Sequence, residues 1–245
     1  MTSAAVLDAV YGAQQPEVPA VMLRELRLTA GWSPRTTAPL AKLLPERHRA
    51  LLQVSNGLDL LAGSYRLFGL GRASARDLAW WNEESTWKFS WNAHAARYLC
   101  FGESALGNQF AYEYADLRAG RRARVHELYA ITLEQLVTFE DFPAFFDRGF
   151  LNGVADDPYH ERIRAARERL GPLPLDEQLT YVPSPLLSGG ELEDSSLVLM
   201  DAQAAMVING DLFVQLAHRQ SLAGLQRLEA YADDRGRQRV RAVFA

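Results

Sequence analysis

The residue types that most often carry chemistry are sparse in this sequence and widely spaced. The histidines stand at positions 48, 94, 126, 160 and 218, and no two have the His-x-x-x-His spacing by which one helix face binds a metal. Cys100 is the single cysteine, so we expect neither an intramolecular disulfide nor a cysteine-based metal site. The sequence also lacks a Gly-x-Ser-x-Gly nucleophile turn, a phosphate-binding loop and a dinucleotide fingerprint. We therefore predict no catalytic residues, no bound metal and no cofactor.

Two of these residues are predicted to be structural. Cys100 lies in the apolar run 98–101, which favours a buried thiol over a reactive one. His48 falls between Leu44 and Leu51 on the apolar face of a predicted helix. That position favours a histidine at the edge of the core, and the alternative is a ligand or acid–base group.

Adjacent carboxylates occur three times, and one pair lies beside a cluster of tryptophans. Asp156-Asp157 and Asp233-Asp234 fall at a predicted helix start and a predicted turn, where acidic residues stabilise the backbone. The remaining pair, Glu83-Glu84, belongs to the predicted contact set, which consists of Trp80, Trp81, Glu83, Glu84 and Trp87. Tryptophan clusters are usually core, but neighbouring residues on a helix point about 100° apart. We therefore expect one of Trp80 and Trp81 on a surface whose acidic and aromatic character suits a basic partner, such as the cleft of a nuclease.

Composition excludes several classes of protein. The chain has 245 residues, of which 48% are hydrophobic and 23% charged, as in an ordinary globular protein. A net charge of −4 argues against a nucleic-acid-binding protein, which normally shows a basic patch. No targeting segment and no run of ~18 apolar residues is present, so no membrane association is expected and the predicted location is the cytoplasm.

Hydrophobic periodicity predicts alternating helices and strands in the first two thirds of the chain. Predicted helices cover 21–28, the stretch from Pro45 to Asn56-Gly57, and 75–84 after a Ser74 cap. Predicted strands cover 65–70, 97–101, 109–114 and 124–129. The spacing of Thr132 and Gln135 predicts a capping box that opens a helix. A phenylalanine-rich helix then follows Asp141, and a charged helix follows Asp157.

The remaining third is predicted to be mainly β. Gly171-Pro172-Leu173-Pro174 breaks the chain, and apolar runs follow at 197–200 and 205–208. Asn209-Gly210 before 212–216 predicts a tight hairpin, and a second hairpin joins 225–231 to 239–244. The alternative for 201–208 is one helix capped by Asp201.

The order of the motifs resembles the Smi1/Knr4-like (SUKH) superfamily over roughly residues 22–150. The resemblance rests on a helix with Leu44-Pro45 and Asn56-Gly57, a Tyr-Arg-Leu-Phe-Gly strand at 65–69, an Asp-Leu helix from Asp77, and Phe-Gly at 101–102 before Gly-Asn-Gln-Phe-Ala-Tyr at 107–112. The chain differs from the family where Asn108 replaces a frequent acidic residue. The resemblance implies an α+β fold with a mixed sheet backed by helices, here followed by an antiparallel β-rich extension, and no catalysis. Bacterial members are commonly immunity proteins that neutralise polymorphic toxins such as nucleases or deaminases, and fungal members regulate cell-wall synthesis.

These expectations divide the chain into a leader at 1–21, a Smi1/Knr4-like domain at 22–153, a helix and linker at 154–174, and a β-rich extension at 175–245. The predicted leader is either loosely attached or a short helix. The predicted function is that of a non-catalytic cytoplasmic immunity protein whose partner is a toxin domain. The alternatives are a scaffold that binds a host protein, or an enzyme that uses Glu83, Glu84 or His126. Oligomeric state is not predicted.

Overall fold

A computed structural model describes residues 2–30, 39–71, 76–120, 122–152, 159–187, 196–219 and 221–245. The helices are α1 Ser3–Tyr11, α2 Ala20–Glu25, α3 Glu46–Val54, α4 Leu78–Trp81, α5 Ala93–Ala96, α6 Tyr114–Arg118, α7 Phe142–Phe145, α8 His160–Leu170 and α9 Ala202–Leu216. Short 3-10 helices cover Pro39–Leu43 and Lys88–Trp91, and a π-helix covers Phe146–Leu151. The strands are β1 Leu26–Ala30, β2 Ser55–Leu60, β3 Tyr65–Leu67, β4 Tyr98–Ser104, β5 Gln109–Glu113, β6 Val125–Leu128, β7 Gln135–Phe139, β8 Glu177–Tyr181, β9 Leu197–Asp201, β10 Leu225–Ala232 and β11 Gln238–Phe244.

Strands β1 to β7 form one sheet in chain order, and each pairs with the next in antiparallel orientation. Among the described residues, the parallel pairing we find is an isolated bridge between Gly69 and Asp77. The pairs β8–β9 and β10–β11 form two small antiparallel sheets. The α+β class, with a sheet backed by helices and a C-terminal part that contains further antiparallel strands, is confirmed, and the sheet expected to be mixed is observed as an antiparallel one.

Aromatic side chains form the centre of the core, and they come from one helical segment and two neighbouring strands. The rings of Phe142, Phe145, Phe146 and Phe150 are fully buried, which confirms the predicted phenylalanine-rich helix. The Phe145 ring lies 5.4 Å from that of Phe101 on β4 and 4.9 Å from that of Phe110 on β5. The helices therefore bury one face of the sheet through aromatic contacts.

The first residues of the chain belong to this core. Of the two alternatives for the predicted leader, the short helix is observed, because α1 packs against α3 and buries Val6 and Val10 completely. The predicted helix at 21–28 is wrong in its second half. The chain leaves α2 after Glu25, because Leu26, Arg27 and Leu28 pair with β2.

The predicted helix opened by Thr132 and Gln135 is also wrong, because these residues form a hairpin. Tyr129 N–H donates to Glu134 C=O at 2.9 Å, and Leu133 takes a positive φ of 55° in the turn. Strand β7 then pairs with β6. The Thr132 hydroxyl accepts a hydrogen bond from Glu134 N–H, so it stabilises the turn and not a helix start. Helix α4 is shorter than predicted and begins after Asp77, and Ser74 lies outside the described residues.

The predicted hairpin at Asn209-Gly210 is wrong as well, because both residues lie inside α9. That helix begins at the Asp201 cap, where the carboxylate accepts a hydrogen bond from Ala204 N–H at 2.7 Å. A Cβ atom on Gly210 would lie 2.5 Å from Ser90 Oγ and 2.6 Å from Trp91 Nε1, so the glycine permits the close approach of the Lys88–Trp91 helix. The Asn209 side chain donates to Ala130 C=O at 3.1 Å. Both residues serve tertiary packing, which overrides their turn preference.

Replacing Gly210 with alanine tests this close approach. Glycine to alanine inside a helix normally stabilises it by roughly 0.5–1 kcal/mol. Here we expect destabilisation by about 1–3 kcal/mol, because the new methyl group would overlap Ser90 and Trp91. Urea unfolding of the two proteins measures the difference. A gain in stability would show that α9 does not pack on Trp91 in this way.

His48 is buried among the aromatic side chains of the core. Its ring stacks on Phe142 at 4.4 Å between centroids, and its Nδ1 lies 3.0 Å from Tyr112 Oη. Nε2 has no hydrogen-bond partner. Burial without a nearby carboxylate favours the neutral imidazole and lowers the pKa of His48 from 6.5 to about 3. The prediction of a core histidine is confirmed, although it lies deeper than the core edge.

This burial makes stability depend on pH. Between about pH 3 and 6.5 the unfolded chain binds a proton at His48 that the folded chain does not, so the free energy of unfolding falls as pH falls. From pH 6.5 to 4.5 we expect a loss on the order of 2–3 kcal/mol from this group, at ~1.4 kcal/mol per pH unit. Denaturation of wild type and His48→Gln across this range measures it. The variant should have a shallower slope, and equal slopes would contradict the assignment.

Candidate protein-binding surface

Helix α4 exposes one of its two tryptophans and buries the other, with their ring centroids 5.9 Å apart. The Asp77 carboxylate caps the helix by accepting a hydrogen bond from Ala79 N–H at 2.9 Å. Trp81 then points inward and donates from Nε1 to Gln109 Oε1 at 2.8 Å, whereas the Trp80 side chain is 42% exposed. The expectation that one of the pair lies at the surface is confirmed.

The loop after α4 is held by buried hydrogen bonds. Asn82 pairs with both backbone groups of Cys100 on β4, at 2.6 and 2.8 Å. The Thr86 hydroxyl donates to Trp80 C=O at 2.6 Å, and the Lys88 ammonium donates to Tyr98 C=O at 2.5 Å. Glu83 and Glu84 are therefore exposed on a loop whose backbone is fixed to the sheet.

Two of the predicted contact residues are not available to a partner. Trp81 is 1% exposed and Trp87 is fully buried, and Trp87 Nε1 donates to Trp81 C=O at 2.7 Å. Both belong to the core, so their predicted role in binding is wrong. The accessible part of the predicted set is Trp80, Glu83 and Glu84.

A second exposed apolar side chain lies beside Trp80, and it comes from the linker before β8. Leu175 is 49% exposed and lines the same shallow pocket of about 150 Å³ as Trp80. Three carboxylates, Asp77, Asp176 and Asp201, line that pocket too. We define the Trp80 patch as Trp80, Leu175, Asp77, Glu83, Glu84, Asp176 and Asp201.

Buried arginines position the linker half of the patch. Arg66 on β3 donates to the carbonyls of three linker residues, Leu173, Pro174 and Leu175, and to that of Glu177 at the start of β8. Arg76 donates to Leu175 C=O at 3.0 Å and to the carboxylate of Glu103 at 2.9 Å, and its guanidinium lies 4.2 Å from the Trp81 ring centroid. Ala202 N–H donates to Asp176 C=O at 2.8 Å, which ties the linker to α9.

The Trp80 patch is strongly acidic. It contains five carboxylates, and the cation that lines its pocket, Arg76, is buried and paired with Glu103. Burial is the main cause that lowers the pKa of Arg76, and Glu103, Asp201 and Asp176 oppose it. An apolar centre with an acidic rim has the composition of a protein contact for a basic partner.

The other groups considered for chemistry, His126 and Cys100, are buried in strands β6 and β4. His126 on β6 is 2% exposed and its Nδ1 lies 2.9 Å from Thr138 Oγ1, and burial lowers its pKa. No hydrogen bond or ion pair joins His126 to Glu83 or Glu84. Cys100 is buried as predicted, and burial raises the pKa of its thiol to about 11. Across the described ranges, we find no cluster of three or more residues that could hold a metal ion.

Asn108, which differs from the family pattern, has a structural role. Its side chain donates to Glu127 Oε1 at 2.9 Å and accepts from Ala130 N–H at 3.1 Å. The Asn108 side-chain nitrogen and oxygen thus bind β6 and the segment that follows it. A contact role for this side chain is not supported, because it is 4% exposed.

Sequence reasoning found one side of the patch and missed the other. Leu175, Asp176 and Asp201 are about a hundred residues away from Trp80 along the chain, so no local pattern joins them. The one signal was Leu175 itself, an apolar residue that follows Pro172-Leu173-Pro174 where a linker would be polar.

Alanine replacement of each of the two adjacent tryptophans tests which one lies at the surface and which one in the core. We expect Trp81→Ala to lower the free energy of unfolding by about 3–5 kcal/mol, since it removes a buried ring and its hydrogen bond. Trp80→Ala should cost less than about 1 kcal/mol, because much of its ring faces solvent. Chemical denaturation compares them directly. Losses of similar size would mean that Trp80 is not a surface residue.

Comparison with known proteins shows similarity of fold. No protein-family model matches the sequence, and no curated protein sequence matches it. The crystal structure of Atu4351 from Agrobacterium tumefaciens superimposes with a TM-score of 0.50 and 15% sequence identity, over 77% of this chain and 86% of that chain. No helix among the described residues is both long and apolar enough to cross a bilayer. At this level of identity the Atu4351 structure is similar to this chain in fold alone.

Proposed function

We propose that this chain is a Smi1/Knr4-like protein that binds and neutralises a cognate bacterial toxin in the cytoplasm, without catalysis of its own. The order of the sequence motifs between residues 22 and 150 supports the family. The observation that carries the function is the Trp80 patch, in which two exposed apolar side chains line a pocket with three carboxylates, and Glu83 and Glu84 are exposed on the loop after Trp81.

The chemistry of the patch suits a toxin that acts on nucleic acid. Such a toxin needs a basic cleft to hold phosphates, and an acidic protein surface competes for the same cations. A tryptophan that is partly exposed and fixed by its neighbours is a typical binding hot spot. Arginine or lysine of the toxin would lie over the Trp80 ring or beside Asp176 and Asp201.

The Trp80 patch is also pre-ordered, which favours tight binding. Thr86 holds the loop after α4, Arg66 and Arg76 hold the linker, and the bond from Ala202 N–H to Asp176 C=O joins the linker to the start of α9. Little conformational entropy therefore remains to be lost on association. Five like charges close together disfavour self-association through this surface. They also steer a basic partner toward it.

Charge reversal at Glu84 tests the proposed surface. Tagged wild type, Glu84→Lys and Trp80→Ala are used to capture partners from the native host, with Glu17→Lys as a control. Glu17 is exposed between α1 and α2, so this control makes the same change in net charge outside the patch. We expect a stoichiometric partner that both patch variants bind about tenfold or more weakly, with melting temperatures close to wild type. Equal binding by all four proteins would exclude the Trp80 patch.

The toxicity of the captured partner distinguishes an immunity protein from a regulatory scaffold. The captured partner is expressed in a susceptible bacterium with and without this chain, and growth is measured. An immunity protein restores growth, and its Glu84→Lys variant does so less well. A partner that is harmless by itself would instead indicate a regulatory scaffold.

A further inference from the structure

A larger cleft lies next to the Trp80 patch, between the loop after α4, helix α9 and the C-terminal hairpin. Its volume is about 450 Å³, within the range of ~300–1,000 Å³ that is usual for ligand sites. We call it the Phe89 cleft. The described residues that line it are Ser85, Phe89, Asp201, Gln203, Ala204, Val207, Ile208, Ala230, Arg237, Gln238, Arg239 and Val240.

The cleft is apolar in the middle and electrically balanced at its wall. Phe89, Val207, Ile208 and Val240 supply apolar surface. The guanidinium of Arg237 lies 4.0 Å from the Phe89 ring centroid. Each arginine of the wall already has a carboxylate partner, Asp233 for Arg237 and Asp211 for Arg239. An uncharged apolar group therefore fits the cleft better than an anion does.

The walls of the cleft are fixed to one another. Gln203 donates from Nε2 to Thr86 C=O at 2.7 Å, which joins α9 to the loop. On the other side, Asp211 is 1% exposed and accepts hydrogen bonds from Arg239 and from Val240 N–H. Gln215 pairs with the backbone of Val240 and Ala242 at 2.9 Å each. The hairpin is thus held on α9 by side-chain bonds to its backbone.

The Phe89 cleft and the pocket of the Trp80 patch are neighbours that share part of their lining, and we call the two together the groove. Asp201 and Gln203 line both the cleft and the smaller pocket beside Trp80. From Ala202 to Ile208 the groove follows α9 for six residues, about 9 Å at ~1.5 Å per residue. An extended peptide covers that distance with about three residues at ~3.3 Å each.

We infer that this groove binds an extended segment of the partner, in which a lysine or arginine precedes or follows a large apolar residue by about three positions. The basic side chain lies at the carboxylates of the Trp80 patch, and the apolar side chain fills the Phe89 cleft. The negative charge of the Trp80 patch and the apolar lining of the Phe89 cleft favour this occupant over a small anion or a second acidic chain. The inference rests on the proposed function, since it describes how the same partner is held.

Filling the cleft from inside provides the first test. Ala204 is exposed on α9 and lines the cleft, so Ala204→Phe would occupy it without removing a buried contact. Ala217 is exposed at the end of the same helix and does not line the cleft, so Ala217→Phe is the matched control. With the captured partner we expect Ala204→Phe to weaken binding about tenfold or more, whereas Ala217→Phe leaves it unchanged. Equal melting temperatures show that both variants remain folded.

The two proposals can fail separately. If Glu84→Lys weakens partner binding and Ala204→Phe does not, the groove is wrong and the Trp80 patch stands. If neither variant weakens binding, the proposed function fails at this surface and the groove fails with it.

A second test needs no partner. Capped peptides with one arginine and one phenylalanine, separated by one to five alanines, are titrated into ¹⁵N-labelled protein and followed by amide chemical shifts. We expect saturable shifts at the groove that are strongest at a separation of about two alanines. They should disappear when glutamate replaces arginine, and in Ala204→Phe. An absence of shifts at every spacing, or shifts that Ala204→Phe leaves intact, would overturn the inference.

Discussion

A row of buried and half-buried charges across β2, β3 and β4 fixes the arrangement on which the candidate site depends. Asp59, Arg66 and Glu103 lie directly opposite one another on the three neighbouring strands. Arg66 is 3% exposed and Glu103 is 1% exposed, so each needs a partner inside the protein. The negative charges of Asp59 and Glu103 balance the positive charges of Arg66 and Arg76. The arginines have further N–H groups, which donate to carbonyls of the linker before β8. Because carbonyls of just this segment satisfy those donors, the linker has one position on the sheet, and Leu175 is carried to the side of Trp80.

Local patterns predicted those parts of the fold in which local and tertiary demands agree. The phenylalanine spacing after Asp141 and the apolar face around His48 each bury one side along their own length, and both are observed. The hairpin 225–244 is observed too, with its two strands paired to each other and its residues half-buried or exposed. The failures share another cause. Thr132 and Gln135 have a helix-start spacing, but pairing with β6 supplies more hydrogen bonds than an isolated turn of helix would. Asn209-Gly210 is a strong turn signal, yet both residues are used to bring α9 against Trp91 and Ala130. A contact between distant residues is not visible in a dipeptide.

The candidate surface was predictable only in part for the same reason. The sequence indicates an aromatic and acidic cluster at 80–87, but the inward or outward direction of each ring depends on what covers it. Trp81 is buried against Arg76, Phe68 and Gln109, and Trp87 lies next to Trp81. Trp80 stays exposed because the segments that reach its side, the linker and α9, approach it with Leu175 and Asp201 and leave a shallow pocket. The partners that decide these orientations come from positions 68, 109, 175 and 201, far apart in the chain.

The way α9 is anchored separates the stability of the groove from its specificity. On its buried side, Trp91 donates to Met206 C=O, Asn209 donates to Ala130 C=O, and Asp211 binds the hairpin through Arg239. The groove side of the same helix presents Gln203, Ala204 and Ile208, of which Ala204 is exposed and the other two half-buried. Ala204 and Ile208 have apolar side chains that make none of these hydrogen bonds, so both can change in size or polarity without removing an anchor, whereas Gln203 is itself bonded to Thr86 C=O. On the proposed function, partner recognition is a property of the α9 face and the two loops beside it, whereas the buried charges and aromatic rings of the sheet determine where that face lies.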